Sequence, residues 1–163
     1  MGDGPAGEEV PRIPTTDDLV RIARSLNAHG ALYAVIGGFA MEHYGFARPT
    51  SDIDLLIDAS EENVALVCKA LTVLPDRASL EVEPGDVAAY TVVRVADEVV
   101  VDLLGSAAGV TWSDVAAHLV TDEVDGVAVR YLDIEALLRT KQTIRPKDAM
   151  DRAYLERVLA GMK

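Results

Sequence analysis

The sequence predicts an α/β (α+β) fold, a mixed β-sheet with helices packed on it. Three observations carry this. Short apolar runs rich in β-branched residues, LYAVI, DIDLLI, VAAYTVVRV, VVVDLLG and VAVRYL, are bounded by turn residues. Between them lie segments whose apolar residues recur at helical spacing. VAAYTVVRV and VVVDLLG are joined only by ADE, so that pair reads as an antiparallel hairpin.

The elements follow in order. TTDDLVRIARSLNAHG reads as a helix with Thr15 as cap, Asp18 completing a capping box, Gly30 as stop, and Leu19, Ile22 and Leu26 on one face. LYAVI (32–36) is a short buried strand. Gly37 and Gly38 turn the chain into a short helix, FAMEHYG, ending at Gly45. DIDLLI (52–57) is the second strand, and Ser60 opens a helix carrying Val64, Val67 and Leu71. Residues 74–86 form a looser connection with Pro75, Pro84 and Gly85. Strands are expected over 87–95 and 99–105, and a helix of about two to three turns over TWSDVAAHL. Asp125-Gly126 is a turn before the strand VAVRYL (127–132). Asp133 caps IEALLRTKQ, with Leu132 and Leu137 as a hydrophobic staple, and Pro146 starts a last helix over roughly 146–160.

A length of 163 residues suits one domain, expected over 13–163, behind a tail at 1–12 rich in Gly, Pro and Glu. No apolar run reaches membrane-spanning length, and the N-terminus lacks the pattern of a signal peptide. Cys68 is the only cysteine, which excludes an intramolecular disulfide and points to a cytoplasmic protein. It falls in VALVCKALTVL, where a small buried apolar residue is expected. The net charge of −12 argues against a broad nucleic-acid surface and leaves room for one local basic site. His29, His43 and His118 are far apart and form no metal-ligand pattern.

Two charges interrupt DIDLLI, a segment that otherwise reads as buried. On a strand, Asp52 and Asp54 share one face while Ile53 and Leu55 share the other. Asp102 interrupts VVVDLL in the same way and joins that face if the two strands are neighbours. At about 4 Å and an effective dielectric near 20, each pair of such carboxylates repels by about 4 kcal/mol. A hard divalent cation such as Mg²⁺, which takes oxygen ligands, makes sense of the cluster. Gly37 and Gly38, between a strand and a helix, allow a phosphate to approach the backbone. Each feature alone has a plainer reading: a turn, a wet sheet face, an edge-strand charge. Their order and spacing together point to phosphoryl or nucleotidyl transfer. Tyr44, Tyr90, Trp112 and Tyr131 are the residues able to stack on a base, and core or rim packing is expected for each.

GGFAMEHYGFARPTSDIDLLI resembles the signature of the DNA polymerase β-type nucleotidyltransferase superfamily: Gly37, Gly38, Asp52 and Asp54, with Asp102 as the later third aspartate. Within it, Arg48, Thr50, Asp52 and Asp54 are similar to the Arg-x-Thr-x-Asp-x-Asp run of small bacterial proteins related to AbiEii and MenT-type toxins. KQTIRPKDAMD resembles their late motif through Lys141, Arg145, Lys147, Asp148 and Asp151. The likeness spans roughly residues 15–160. It implies a nucleotidyltransferase fold and two Mg²⁺ ions on Asp52, Asp54 and Asp102, with Asp102 helping to deprotonate the attacking hydroxyl. It also implies an NTP whose triphosphate lies along Gly37-Gly38 and meets Lys141 and Arg48, with Asp148 orienting Lys141 or Arg145. Many relatives carry Ser at position 38, where this chain has only a backbone N–H to offer. The larger relatives' extra helical domain is not seen after the last helix.

The expected activity is Mg²⁺-dependent transfer of an NMP from an NTP to the hydroxyl of a small molecule, a tRNA or a protein. The last two fit a toxin-antitoxin or regulatory role. A chain this short is expected to borrow part of its acceptor site from a second copy, as a homodimer. The competing reading is a catalytically silent nucleotide-binding or interaction module of the same fold.

Overall fold

The computed structural model describes residues 10–162. Helix α1 (Thr16–Ala28) opens as its sequence dictates, the Thr15 N–H donating to Asp18 Oδ2 at 2.7 Å, and buries Leu19, Ile22 and Leu26. Strand β1 (Tyr33–Ile36) is buried throughout and runs directly into α2 (Gly37–His43). Strand β2 (Ile53–Ile57) leads to α3 (Glu61–Ala70), where Ser60 Oγ accepts from the Asn63 N–H. Cys68 is buried in α3, and burial pushes its thiol up to about 11, so it packs as an inert apolar residue.

The next stretch departs from expectation. The run 87–95 is not one strand. Its first half is a helical turn, α4 (Asp86–Ala89), and only β3 (Val93–Ala96) is extended. Ala88 and Ala89 favour the turn, and the Glu83 N–H donates to Asp86 Oδ2 at 2.9 Å to start it. Strand β4 (Val100–Leu104) pairs with β3, and a small hairpin follows, β5 (Ser106–Ala107) and β6 (Val110–Thr111). The helix expected over TWSDVAAHL shrinks to α5 (Trp112–Val115) and one 3₁₀ turn, Ala116–His118. Its tail instead enters β7 (Leu119–Val124), which the sequence did not reveal. β7 is an edge strand whose polar residues Thr121, Asp122 and Glu123 are all exposed, so no inside–outside alternation marks it. Asp125 and Gly126, both at positive φ, form the hairpin tip between β7 and β8 (Val127–Leu132). Asp133 Oδ1 then caps α6 (Ile134–Arg139), accepting from the Ala136 N–H at 2.8 Å, and Pro146 opens α7 (Pro146–Gly161).

The main sheet has the order β3-β4-β2-β1-β8-β7. β2 lies parallel to β4 and β1 parallel to β8, while the other neighbours are antiparallel, so the sheet is mixed as predicted. α1 packs on β8 and α3, and α6 on α7. Ile53, Leu55, Val101 and Leu103 are fully buried on one face of the sheet. The alternation of side chains therefore turns their neighbours Asp52, Asp54 and Asp102 to the other face.

Residues 1–9 of the expected tail lie outside the described residues. Arg12 is tied to the fold: its guanidinium meets Asp18 at 2.7 Å and Glu98 at 3.4 Å, and its N–H donates to Glu98 O. The Arg12 guanidinium holds the Asp18 carboxyl down at about 2.

Candidate functional site

Parallel pairing of β2 and β4 sets Asp54 directly beside Asp102, and Asp52 is one alternation away. The three side chains offer carboxylate oxygens that all lie within 4.8 Å of one another. Burial, then the charges of Asp52 and Asp102, push Asp54 up to about 7, against the pull of Lys141 and Lys147. Asp52 is also raised, by burial first and then by Asp102. Converging hard oxygen donors that repel one another are suited to a small divalent cation such as Mg²⁺. The residues present thus fit such an ion.

The carboxylates form the floor of an open cleft of about 500 Å³. Arg48, Lys141, Arg145 and Lys147 also line it, so a cationic wall shares the cleft with the carboxylates. The cationic wall is anchored from behind. Asp151, fully buried in α7, accepts from Arg48 at 2.8 Å and lies 3.0 Å from Lys141 Nζ. Asp148, also buried, accepts from Arg145 Nε at 2.9 Å and from the Thr143 hydroxyl. Burial raises its pKa, but these hydrogen bonds and the charges of Arg145 and Lys141 outweigh it and hold the carboxyl below its usual value. Arg48 Nε and Asp151 Oδ1 are buried without a protein partner. Lys141 is itself almost wholly buried and is held between the two aspartates, 3.9 Å from Asp148 Oδ1.

Of the residues predicted from sequence, Gly37, Arg48, Asp52, Asp54, Asp102, Lys141 and Asp148 all line this cleft. Gly38 and Thr50 are not among its lining residues. The two glycines make room for neighbouring side chains. Gly37, at φ +72°, faces Asp54 so closely that a Cβ would overlap Oδ2. A Cβ at Gly38 would overlap the Thr50 hydroxyl. Among the described residues, no aromatic ring lines the cleft. Tyr131 stacks on His43 at 3.8 Å, the Tyr44 hydroxyl donates to Leu132 O, and Trp112 packs half-buried against the core. Tyr90 is exposed beside a neighbouring hollow.

Sequence reasoning missed Arg94. It sits opposite Asp102 in the β3–β4 ladder and grips both of its oxygens, Nε to Oδ1 at 2.9 Å and a terminal nitrogen to Oδ2 at 3.0 Å. The same nitrogen reaches Asp52 Oδ2 at 3.3 Å. The hairpin register hid this. A turn centred on residue 97, as ADE implies, puts Arg94 opposite Val100, whereas the ladder is centred on 98. Buried Asp97 makes the difference, its carboxylate accepting from the N–H groups of Asp76, Ala78 and Glu98.

No curated protein is significantly similar to the chain in sequence. A solved structure from Thermotoga maritima, that of a presumed nucleotidyltransferase, superposes with a TM-score of 0.56 at 14% identity, covering 91% of this chain and 93% of that one. At that identity the likeness establishes the fold. Residues 15–160 match the model of the family described as nucleotidyl transferase of unknown function (DUF2204), and the chain belongs to that family.

Proposed function

We propose that the chain transfers an NMP from an NTP to an acceptor hydroxyl, with Mg²⁺ held by Asp52, Asp54 and Asp102. One observation carries this reading: three converging carboxylates share a single cleft with a cationic wall, in a chain of this family. Bound at the carboxylates, the ion supplies charge stabilisation at the transferring phosphate and eases loss of the hydroxyl proton. The chain's own groups do the rest. Lys141, held by Asp151 and Asp148, contacts the triphosphate, and Arg48, braced by the same Asp151, is the second contact. Asp148 orients Arg145 and Lys141 from behind. Gly37 lets the β1–α2 backbone run close to the phosphates while Asp54 stays in place, and Thr50 packs under Gly38. Asp102 helps to take the proton of the attacking hydroxyl.

The Arg48-x-Thr50-x-Asp52-x-Asp54 run and the late basic segment support a place in the AbiEii/MenT-like branch. A small-molecule acceptor agrees best with the net charge of −12. We place the protein in the cytoplasm, since its one cysteine is buried and unpaired. Among the described residues no helix is long and apolar enough to cross a membrane.

The test is calorimetric titration of the four common NTPs, with and without Mg²⁺, on wild type and on Asp52→Asn/Asp54→Asn. The expected result is Mg²⁺-dependent binding of at least one NTP that the double variant loses. No binding of any NTP by folded wild type, or equal binding by the double variant, refutes the site.

A further inference from the structure

We propose that Arg94 is a tethered cation that competes with the divalent ion for Asp102 and Asp52, so that the ion enters by displacing it. This rests on the metal-site reading of the carboxylate cluster. Arg94 spends its fork on the site alone, engaging both oxygens of Asp102 and one of Asp52. One positive charge is thereby shared between two of the three carboxylates, and among the described residues Asp54 has no arginine partner. A divalent ion on the same oxygens meets a fixed positive charge at hydrogen-bonding distance from its ligands, so guanidinium and ion exclude one another.

The two partners differ in freedom to move. The Asp102 side chain is 8% exposed, locked between β2 and β3, whereas the Arg94 side chain is 60% exposed on an edge strand. It is therefore Arg94 that leaves. The cleft it lines also holds Lys141, Arg145 and Lys147, so an incoming anion offers the released guanidinium a partner there. A triphosphate arriving with the ion satisfies it. Arg94 thus couples entry of the ion to entry of the nucleotide and screens the carboxylates from one another in the meantime. The opposite role, Arg94 as a brace that holds Asp102 ready for the ion, predicts the opposite sign in the same experiment.

The experiment is Mn²⁺ binding, read by the loss of free-Mn²⁺ electron paramagnetic resonance signal at low ionic strength. It compares wild type with Arg94→Gln, Arg94→Lys, Arg145→Gln and Asp54→Asn. A largely exposed ion pair is worth up to a few-fold in affinity, so Arg94→Gln is expected to bind Mn²⁺ about fivefold tighter than wild type. Arg94→Lys, which keeps the charge and loses the fork, should fall between them. Arg145→Gln removes a charge from the same cleft that pairs with Asp148 and not with the carboxylate cluster, and should change little. Unchanged or weaker binding by Arg94→Gln overturns the competition, as does equal tightening by Arg145→Gln, which would signal a general field effect. Asp54→Asn separates the two levels. Mn²⁺ binding that is insensitive to Asp54→Asn, or absent in wild type, sinks the site itself. Binding lost in Asp54→Asn yet indifferent to Arg94 sinks only the competition.

Discussion

Replacing Gly37 by Ala tests whether the first glycine exists to seat Asp54. Gly37 has φ +72°, a left-handed conformation that costs a residue with a Cβ about 1–2 kcal/mol. The added Cβ would also overlap Asp54 Oδ2 and lie 2.9 Å from its Cγ and 3.0 Å from its Cβ. The contact is too close along the whole side chain for the tip alone to give way, so Asp54 must leave its rotamer, at about 0.5–1.5 kcal/mol more. Together this is about 1.5–3.5 kcal/mol, or a fall in Tm of about 3–14 °C for a domain of this size. Because the displaced group is a metal ligand of the proposed site, Mn²⁺ affinity should fall at least about tenfold in the same protein. The assay is thermal unfolding with chelator present, followed by Mn²⁺ titration well below the lowered Tm. A Gly37→Ala protein with wild-type Tm and wild-type Mn²⁺ binding would refute the reasoning, because neither the backbone strain nor the overlap would then exist.

Two further outcomes are expected. Asp54 titrates at about 7 in the fold against an ordinary 3.8, so the folded state holds the proton more tightly. The associated stability is fully present at low pH and is lost as pH rises through about 7. Chelator-treated protein should therefore melt higher at pH 5.5 than at pH 8, and Asp54→Asn should flatten that slope. Asp18, depressed to about 2, stays ionised in both states over this window and does not contribute. Asp151→Asn leaves Arg48 and Lys141 facing each other without their shared buried counter-ion. It should cost about 3–5 kcal/mol in urea denaturation, the range for breaking a buried ion pair on one side. A loss under about 1 kcal/mol would mean that the two cations reach solvent.

Much of the fold was legible because burial leaves periodic marks. Leu19, Ile22 and Leu26 marked the inner face of α1, and Asp133 and Pro146 marked the starts of α6 and α7. Elements that bury little left weaker marks. β7 carries polar residues on an exposed edge and was missed, and the alanines of 87–89 curl into a helical turn where a strand was expected. Both depend on what packs beside them rather than on their own alternation.

The candidate site divides along the same line. The sequence by itself determined that Asp52 and Asp54 share a strand face, since side-chain alternation is a local property of extended backbone. It also determined that Asp102 breaks an apolar strand and that late Lys and Arg residues stand beside Asp148 and Asp151. Only the tertiary structure decided which of these meet. Parallel pairing of β2 with β4 brings Asp102 to Asp54, and α7 carries Asp151 under Arg48, 103 residues away in sequence. A two-residue change in the β3–β4 pairing, with the carboxylate of Asp97 buried at its turn, puts Arg94 on the cluster. Register and long-range pairing depend on contacts among distant segments, so no local pattern encodes them.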